Sequence, residues 1–239
     1  MTAAKPPRKR GARAEIPITA EAIVDAAFHM IDERGNTGFS MRALALELGV
    51  FPATLYWHVG DRARLLGLVE ERWIRTVETP DDIDDFGEWT LELGRRYRRA
   101  AHRHPNIARL LTVERARNTD NLTIPDAIVG KLAALGLGTD LVHAYNALMG
   151  AVQGFVVLEL ALIAEPGEQA VAAAEEDLRA LDRARFPNVT QHFDELANQA
   201  FSVRWSDASQ QPLDESFEFM LKLLLDGLAV RSPKLFSGR

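Results

Sequence analysis

The chain contains no cysteine, which removes disulfides, thiolate nucleophiles and cysteine-based metal sites from consideration. Long apolar runs are missing too. The longest, Ala147 to Ala164, is broken by Gln153 and Glu159, and a charge at mid-span is costly in hydrocarbon, so no membrane span is expected. No apolar stretch near the N-terminus reads as a signal peptide. The six histidines are scattered without a His-Glu-x-x-His spacing, no glycine-rich phosphate loop follows a strand, and no activated serine stands out. Alternating strand patterns and internal repeats are equally absent. These absences argue against an enzyme and for a soluble, cytoplasmic, all-α protein.

What is present is an uneven charge. The net value is −6, from 28 basic and 34 acidic residues in 239. The first 15 residues nevertheless hold Lys5, Arg8, Lys9, Arg10 and Arg13 against Glu15 alone, while the acidity lies in Asp81-Asp82-Ile83-Asp84-Asp85 and Glu175-Glu176-Asp177. Such a chain can turn a basic face to phosphates while an acidic body keeps it in solution. Residues 1–17 read as a disordered basic arm, either a solubilising tail or a flexible arm that follows DNA phosphates.

Helix signals divide the rest. Thr19 caps a helix over 20–34 whose apolar face is Ile23, Ala26, Ala27, Met30 and Ile31, and Gly35 ends it. Ser40 caps 41–48, Pro52 suits the first turn of 52–58, and Asp61 caps 62–78. Thr79-Pro80 and the aspartates after it mark a domain boundary near 79–86. Beyond it the periodicity gives helices over 87–104, 105–117, 124–135, 139–164, a short one within 165–187, and further ones near 189–201 and 213–230. In the 87–104 helix, Trp89, Leu93, Tyr97, Ala100 and His104 share one narrow sector. Arg95, Arg98 and Arg99 fall opposite and read as a solvated face.

The richest stretch is Ser40 to Leu66. Two short helices meet at Gly49; Leu44, Leu48, Val50 and Leu55 supply anchors, and Pro52, Ala53, Thr54, Tyr56, Trp57 and His58 offer donors, methyls and flat rings. A helix that rests on a partner with one side and enters a DNA major groove with the other needs this division. The plainer alternative is a helical hairpin whose aromatics are core.

The ordered set from Thr19 to Trp73, including Phe39-Ser40-Met41-Arg42, Leu48-Gly49-Val50 and Thr54-Leu55-Tyr56-Trp57-His58-Val59, resembles the DNA-binding domain of the tetracycline-repressor family. The Leu-Tyr-Trp-His-Val run looks especially like the tetracycline repressors proper. The resemblance implies an N-terminal three-helix helix-turn-helix domain (18–78, with a linking helix) on a larger C-terminal effector-binding and dimerisation bundle (79–239). It implies a homodimer on a palindromic double-stranded DNA operator, with half-sites about 34–36 Å apart, released by a small-molecule effector. Arg42 would reach a guanine edge or a phosphate, and Thr54 a base edge or the backbone. Tyr56 and His58 would meet phosphate or groove wall, Trp57 would pack on the sugar-phosphate backbone, and Arg62 would clamp a phosphate. Pro52 and Ala53 depart from the polar residue usual in close relatives, favouring thymine methyls over hydrogen bonds.

Candidates for the effector pocket are Trp89, Tyr97, His104, Asn118, Asn121, His143, Asn146, Gln153 and Phe155, each of which core packing or a satisfied polar group would also explain. The family's metal ligands find no match, and His102 and His104, two apart, splay on a helix; no metal or cofactor is assigned. His143, Asn146, Gly150, Gln153 and Gly154 form a mixed sector of the 139–164 helix, which suits either a dimer interface or effector contacts. An effector-independent DNA-coating protein is the main functional alternative, and the acidic body argues against it.

Overall fold

The computed structural model describes residues 18–113, 122–163 and 168–232; the basic arm, Asn118 and Asn121 lie outside them. Four helices build an N-terminal head. Helix α1 (Ala20–Gly38) presents Ile23, Ala27, Met30 and Ile31 to the core, all buried. Thr19 caps it, its Oγ1 accepting from the Ala22 N–H at 3.1 Å. The helix does not stop at Gly35 as the sequence suggests. Gly35 takes φ 65°, ψ −173°, and a last turn continues to Gly38 beyond this kink. Helix α2 (Met41–Leu48) is capped by Ser40 and α4 (Arg62–Ile74) by Asp61, with 3.1 and 2.8 Å bonds from the Ala43 and Arg64 N–H groups. Between them α3 (Pro52–Val59) begins on its proline. Helix α4 ends four residues sooner than its periodicity suggests, because Thr76 and Val77 turn back on Trp73 and Ile74.

The body is built on α5 (Phe86–Arg103), α6 (Pro105–Val113), α7 (Thr123–Ala134), α8 (Leu141–Ala161) and α12 (Asp214–Arg231). A short 3₁₀ turn, Gly138–Asp140, leads into α8. Helix α9 (Glu168–Arg179) has no fully buried residue. The helix expected over 189–201 is broken into α10 (Pro187–Gln191) and α11 (Phe193–Leu196). Asn198 sits at φ 57°, and the buried Arg204 guanidinium gathers the carbonyls of Asn198, Asp207 and Gln211, which replaces helix with a pinned loop. Among the described residues there is no sheet, only one isolated bridge between Ala200 and Val203.

One apolar cluster runs from Ile23 in the head to Leu228 in the body. The joint between the two is polar as well. His104 Nδ1 meets Asp32 Oδ2 at 2.8 Å, and Asn106 Nδ2 donates to the Asp32 carbonyl at 2.8 Å, tying the end of α1 to the start of α6. Arg72 of α4 pairs with Asp25 of α1.

Arg99 is exposed, as a solvated face requires, but Arg98 departs from that reading. Its Nε and Nη2 each donate at 2.7 Å to Glu159, whose side chain is fully buried on α8, and Nη1 reaches Asp214 on α12. His102 adds a 3.0 Å contact to Glu159. Burial alone would raise the Glu159 carboxyl, but the hydrogen bonds from Arg98 and His102 outweigh it and hold the pKa at about 2. The charge that interrupts the longest apolar run is therefore the pin joining three helices. Arg95 is likewise engaged, bidentate to Glu218 at 2.6 and 2.7 Å.

Candidate nucleic-acid interface and effector cavity

The geometry of α2 and α3 follows from one turn. Gly49 adopts φ 68°, ψ 27°, the left-handed region, and its N–H closes α2 on the Ala45 and Leu46 carbonyls. The chain then re-enters a helix within three residues. Leu55 and Val59 are buried, four apart, and seat α3 on the head. The opposite side carries the sequence-derived reader. Pro52, Ala53, Tyr56 and Trp57 are exposed, Trp57 at 81%, while Thr54 and His58 are partly covered. Trp57 and His58 meet edge to face, 4.6 Å between centroids. Arg42 is exposed at the start of α2, and Arg62 stands at the first position of α4 with its guanidinium 5.6 Å from the Phe39 ring. All eight side chains belong to one head, and the helical hairpin with core aromatics is ruled out by the exposure of Tyr56 and Trp57. Phe51, part of the apolar Phe51-Pro52-Ala53 departure, and Leu46, which the sequence did not single out, are each 82% exposed beside them.

A second feature lies in the body. A cavity enclosing about 770 Å³ of space free of protein atoms, part of it continuous with solvent, opens between α4, α5, α7 and α8. Helix α5 contributes Trp89, Thr90, Leu93, Gly94 and Tyr97; α7 contributes Ile124, Pro125 and Ile128; α8 contributes Leu148, Met149, Val152 and Gln153; and α4 supplies Glu70 and Ile74. Burial, the nearby Glu70 charge and, against them, a hydrogen bond from Gln153 leave the Tyr97 phenol pushed up to about 12. Burial raises the Glu70 carboxyl.

Three of the sequence-derived pocket candidates, Trp89, Tyr97 and Gln153, line this cavity. The others do not. His104 is turned to Asp32 and the Phe28 ring at the head–body joint. Phe155 packs edge to face on Phe201 and Phe217, with centroids 5.1 and 5.3 Å away. His143 and Asn146 are exposed on α8, and His143 borders a separate groove between α8 and α12. The mixed sector of α8 is thus divided, with Gln153 inward and Gly150 and Gly154 outward, where an added Cβ would meet nothing within 4 Å. Glu70 was missed, though a signal existed: it lies four residues from both Leu66 and Ile74 and three from Trp73, on the inner side of an amphipathic helix. Thr90 left no trace beyond its neighbour Trp89.

A small helix-turn-helix head with an exposed aromatic face, set on a helical body with its own cavity, is the plan of a DNA-binding transcriptional regulator. Comparison with known proteins agrees. A family model described as "Bacterial regulatory proteins, tetR family" matches residues 23–68, and one described as "Tetracyclin repressor-like, C-terminal domain" matches residues 79–232. The chain belongs to the tetracycline-repressor family of transcriptional regulators.

It is 27% identical over 213 residues to the class A tetracycline repressor of transposon 1721 from Escherichia coli, covering 87% of this chain and 89% of that protein. It is 38% identical over 76 residues to the transcriptional repressor DrrR1 of Streptomyces coeruleorubidus, a match that spans 32% of this chain and only 28% of that one. Among solved structures it is similar to ActR of Streptomyces coelicolor in complex with actinorhodin, with a TM-score of 0.71 and 25% identity over 91% of this chain and 98% of ActR.

Proposed function

We propose that the chain is a cytoplasmic repressor that binds a palindromic operator as a homodimer and is released by a small molecule held in the α4–α5–α7–α8 cavity. The observation that carries the DNA reading is the outward set of Tyr56, Trp57 and their neighbours on a helix seated by Leu55 and Val59. An 81%-exposed tryptophan costs a free monomer apolar surface that contact with a duplex would cover. Arg42 and Arg62 flank it with positive charge, and the helix-start position of Arg62 adds the favourable end of the α4 dipole.

Dimerisation is supported by a different surface. Helix α8 and the turn before it, Gly138–Ala161, are long and apolar enough by composition to cross a membrane, with a window of mean hydropathy 1.4 that is only 22% buried. The fully buried Glu159 on that helix, paired with Arg98, is at odds with a lipid setting. Leu158 on α8 and Phe219, Leu223 and Val230 on α12 are all more than half exposed. Two copies meeting through these faces would bury them in a helical bundle, with Gly150 and Gly154 allowing close approach.

The test uses the full chain on duplex fragments flanking its own coding region at low salt. Retardation by a species containing two chains, followed by release on adding a cavity ligand, is expected. Failure to retard any such fragment contradicts the proposal.

A further inference from the structure

We propose that the effector cavity selects a flat, largely apolar organic cation, with Glu70 facing its positive charge and Thr90 making one hydrogen bond. This rests on the reading of the cavity as the effector site. Among the described lining residues Glu70 is the one carboxylate, and there is no lysine, arginine or histidine. Lys131 lies over the Trp89 ring at 5.6 Å but is engaged by the Ile83 and Asp84 carbonyls at 3.0 and 3.4 Å. It does not line the cavity.

Thr90 supplies an independent sign of a missing partner. It is 7% exposed, it lines the cavity, and its Oγ1 makes no hydrogen bond. A buried hydroxyl left without a partner is uncommon, and a ligand hydroxyl, carbonyl or ammonium would satisfy it. Apart from Gln153 and the Tyr97 hydroxyl, which hydrogen-bond each other, the rest of the described wall is apolar, with Trp89 and Tyr97 giving aromatic surface to a planar frame.

The ligand's charge follows from desolvation. Burial already disfavours ionised Glu70. A neutral ligand filling the cavity would strip more water from the carboxylate and return at most a hydrogen bond, and an anion would add repulsion. A cation offsets the loss most fully, by charge and hydrogen bond together. Glu70 and Ile74 are the α4 residues of the wall, so the charge contact acts on the helix that carries Arg62 at its other end. A ligand whose strongest contact forms on that helix distinguishes its positions, as release from DNA requires.

The test compares three probes on one ring frame: 9-(aminomethyl)anthracene, 9-anthracenemethanol and anthracene-9-carboxylate. Each is titrated by fluorescence into the full chain without DNA, as wild type, Glu70→Gln, Val152→Trp and, as a second cavity-filling variant, Met149→Trp, with thermal melting to verify folding. In wild type the amine is expected to bind at least about tenfold tighter than the alcohol, with the carboxylate weakest. Glu70→Gln should bring the three within about twofold, and the filling variants should abolish all binding. Comparable affinities of the three probes in wild type, lost in the filling variants, would overturn cation selection and leave the cavity reading intact. Binding untouched by filling, or no binding by any probe up to its solubility, would overturn the cavity reading and the cation proposal with it.

Discussion

Gly49 holds the backbone of the turn at φ 68°, where a side chain is strained although nothing stands within 4 Å of a Cβ built there. Gly49→Ala should therefore cost about 1 kcal/mol through the backbone alone, read as a lowered urea midpoint with an unchanged slope. At the reader, chemistry divides the side chains. Tyr56→Ala and Arg62→Ala are expected to weaken binding to every duplex by a similar factor, since contacts to sugar and phosphate carry no base information. Thr54→Ala and Pro52→Gln are expected to change which duplex is preferred, by about 1–3 kcal/mol at the affected base pair. A binding selection that returned one unchanged preferred site for Pro52→Gln would contradict that division. The outward side of α3 was legible because its pattern is local: two buried anchors four apart, a proline start, and polar or flat side chains between them.

Among the elements, the pin between α5, α8 and α12 was the hardest to foresee. Arg98 lies at a helical angle that suits solvent, and only the fold brings Glu159 to it from 61 residues away and Asp214 from 116. Periodicity describes a helix against a generic core and is silent on which charge on another helix arrives opposite. Glu159→Ala should destabilise the body by about 3 kcal/mol, the low end for a broken buried pair because Asp214 still meets Arg98. The same carboxyl gives a pH dependence of definite sign. Its folded pKa of about 2 is below the ordinary 4.5, so its contribution is fully present above about 4.5 and is lost as pH falls towards 2. Denaturant melts at pH 6, 4 and 2.5 should show wild type losing stability that Glu159→Gln, already lacking it, does not lose. Helix starts, by contrast, were readable at Thr19, Ser40, Pro52 and Asp61, because a cap is a bond within three residues. The broken stretch after Pro187 was not readable, because the carbonyl cluster around Arg204 assembles from a loop without periodicity.

For the whole molecule, the exposed apolar faces of α8 and α12 make the assembly state a direct measurement. Leu223→Arg sets a charge on a face where Leu223 is 56% exposed and removes little from the monomer core. It should sediment as a monomer, keep its thermal midpoint when compared at low protein concentration, and lose DNA retardation. A variant that stayed dimeric would move the interface elsewhere. The cavity was only partly visible in the sequence for a related reason: its wall draws on four helices, and single-helix sectors identify Trp89 and Tyr97 without revealing that Phe155 points to Phe217 instead.

Helix α4 spans about 20 Å at 1.5 Å per residue, with Arg62 at one tip and the cavity wall at the other. Near the cavity it is fastened: the Trp73 indole N–H donates to the Ala100 carbonyl at 3.4 Å, and Arg72 grips Asp25. A rod hinged close to one end magnifies rotation at the far tip. About five degrees of tilt would carry Arg62 through roughly 1.5 Å, half the length of a hydrogen bond, so on the function proposed above a nudge too slight to disturb packing around a ligand would misalign the phosphate contact assigned to Arg62.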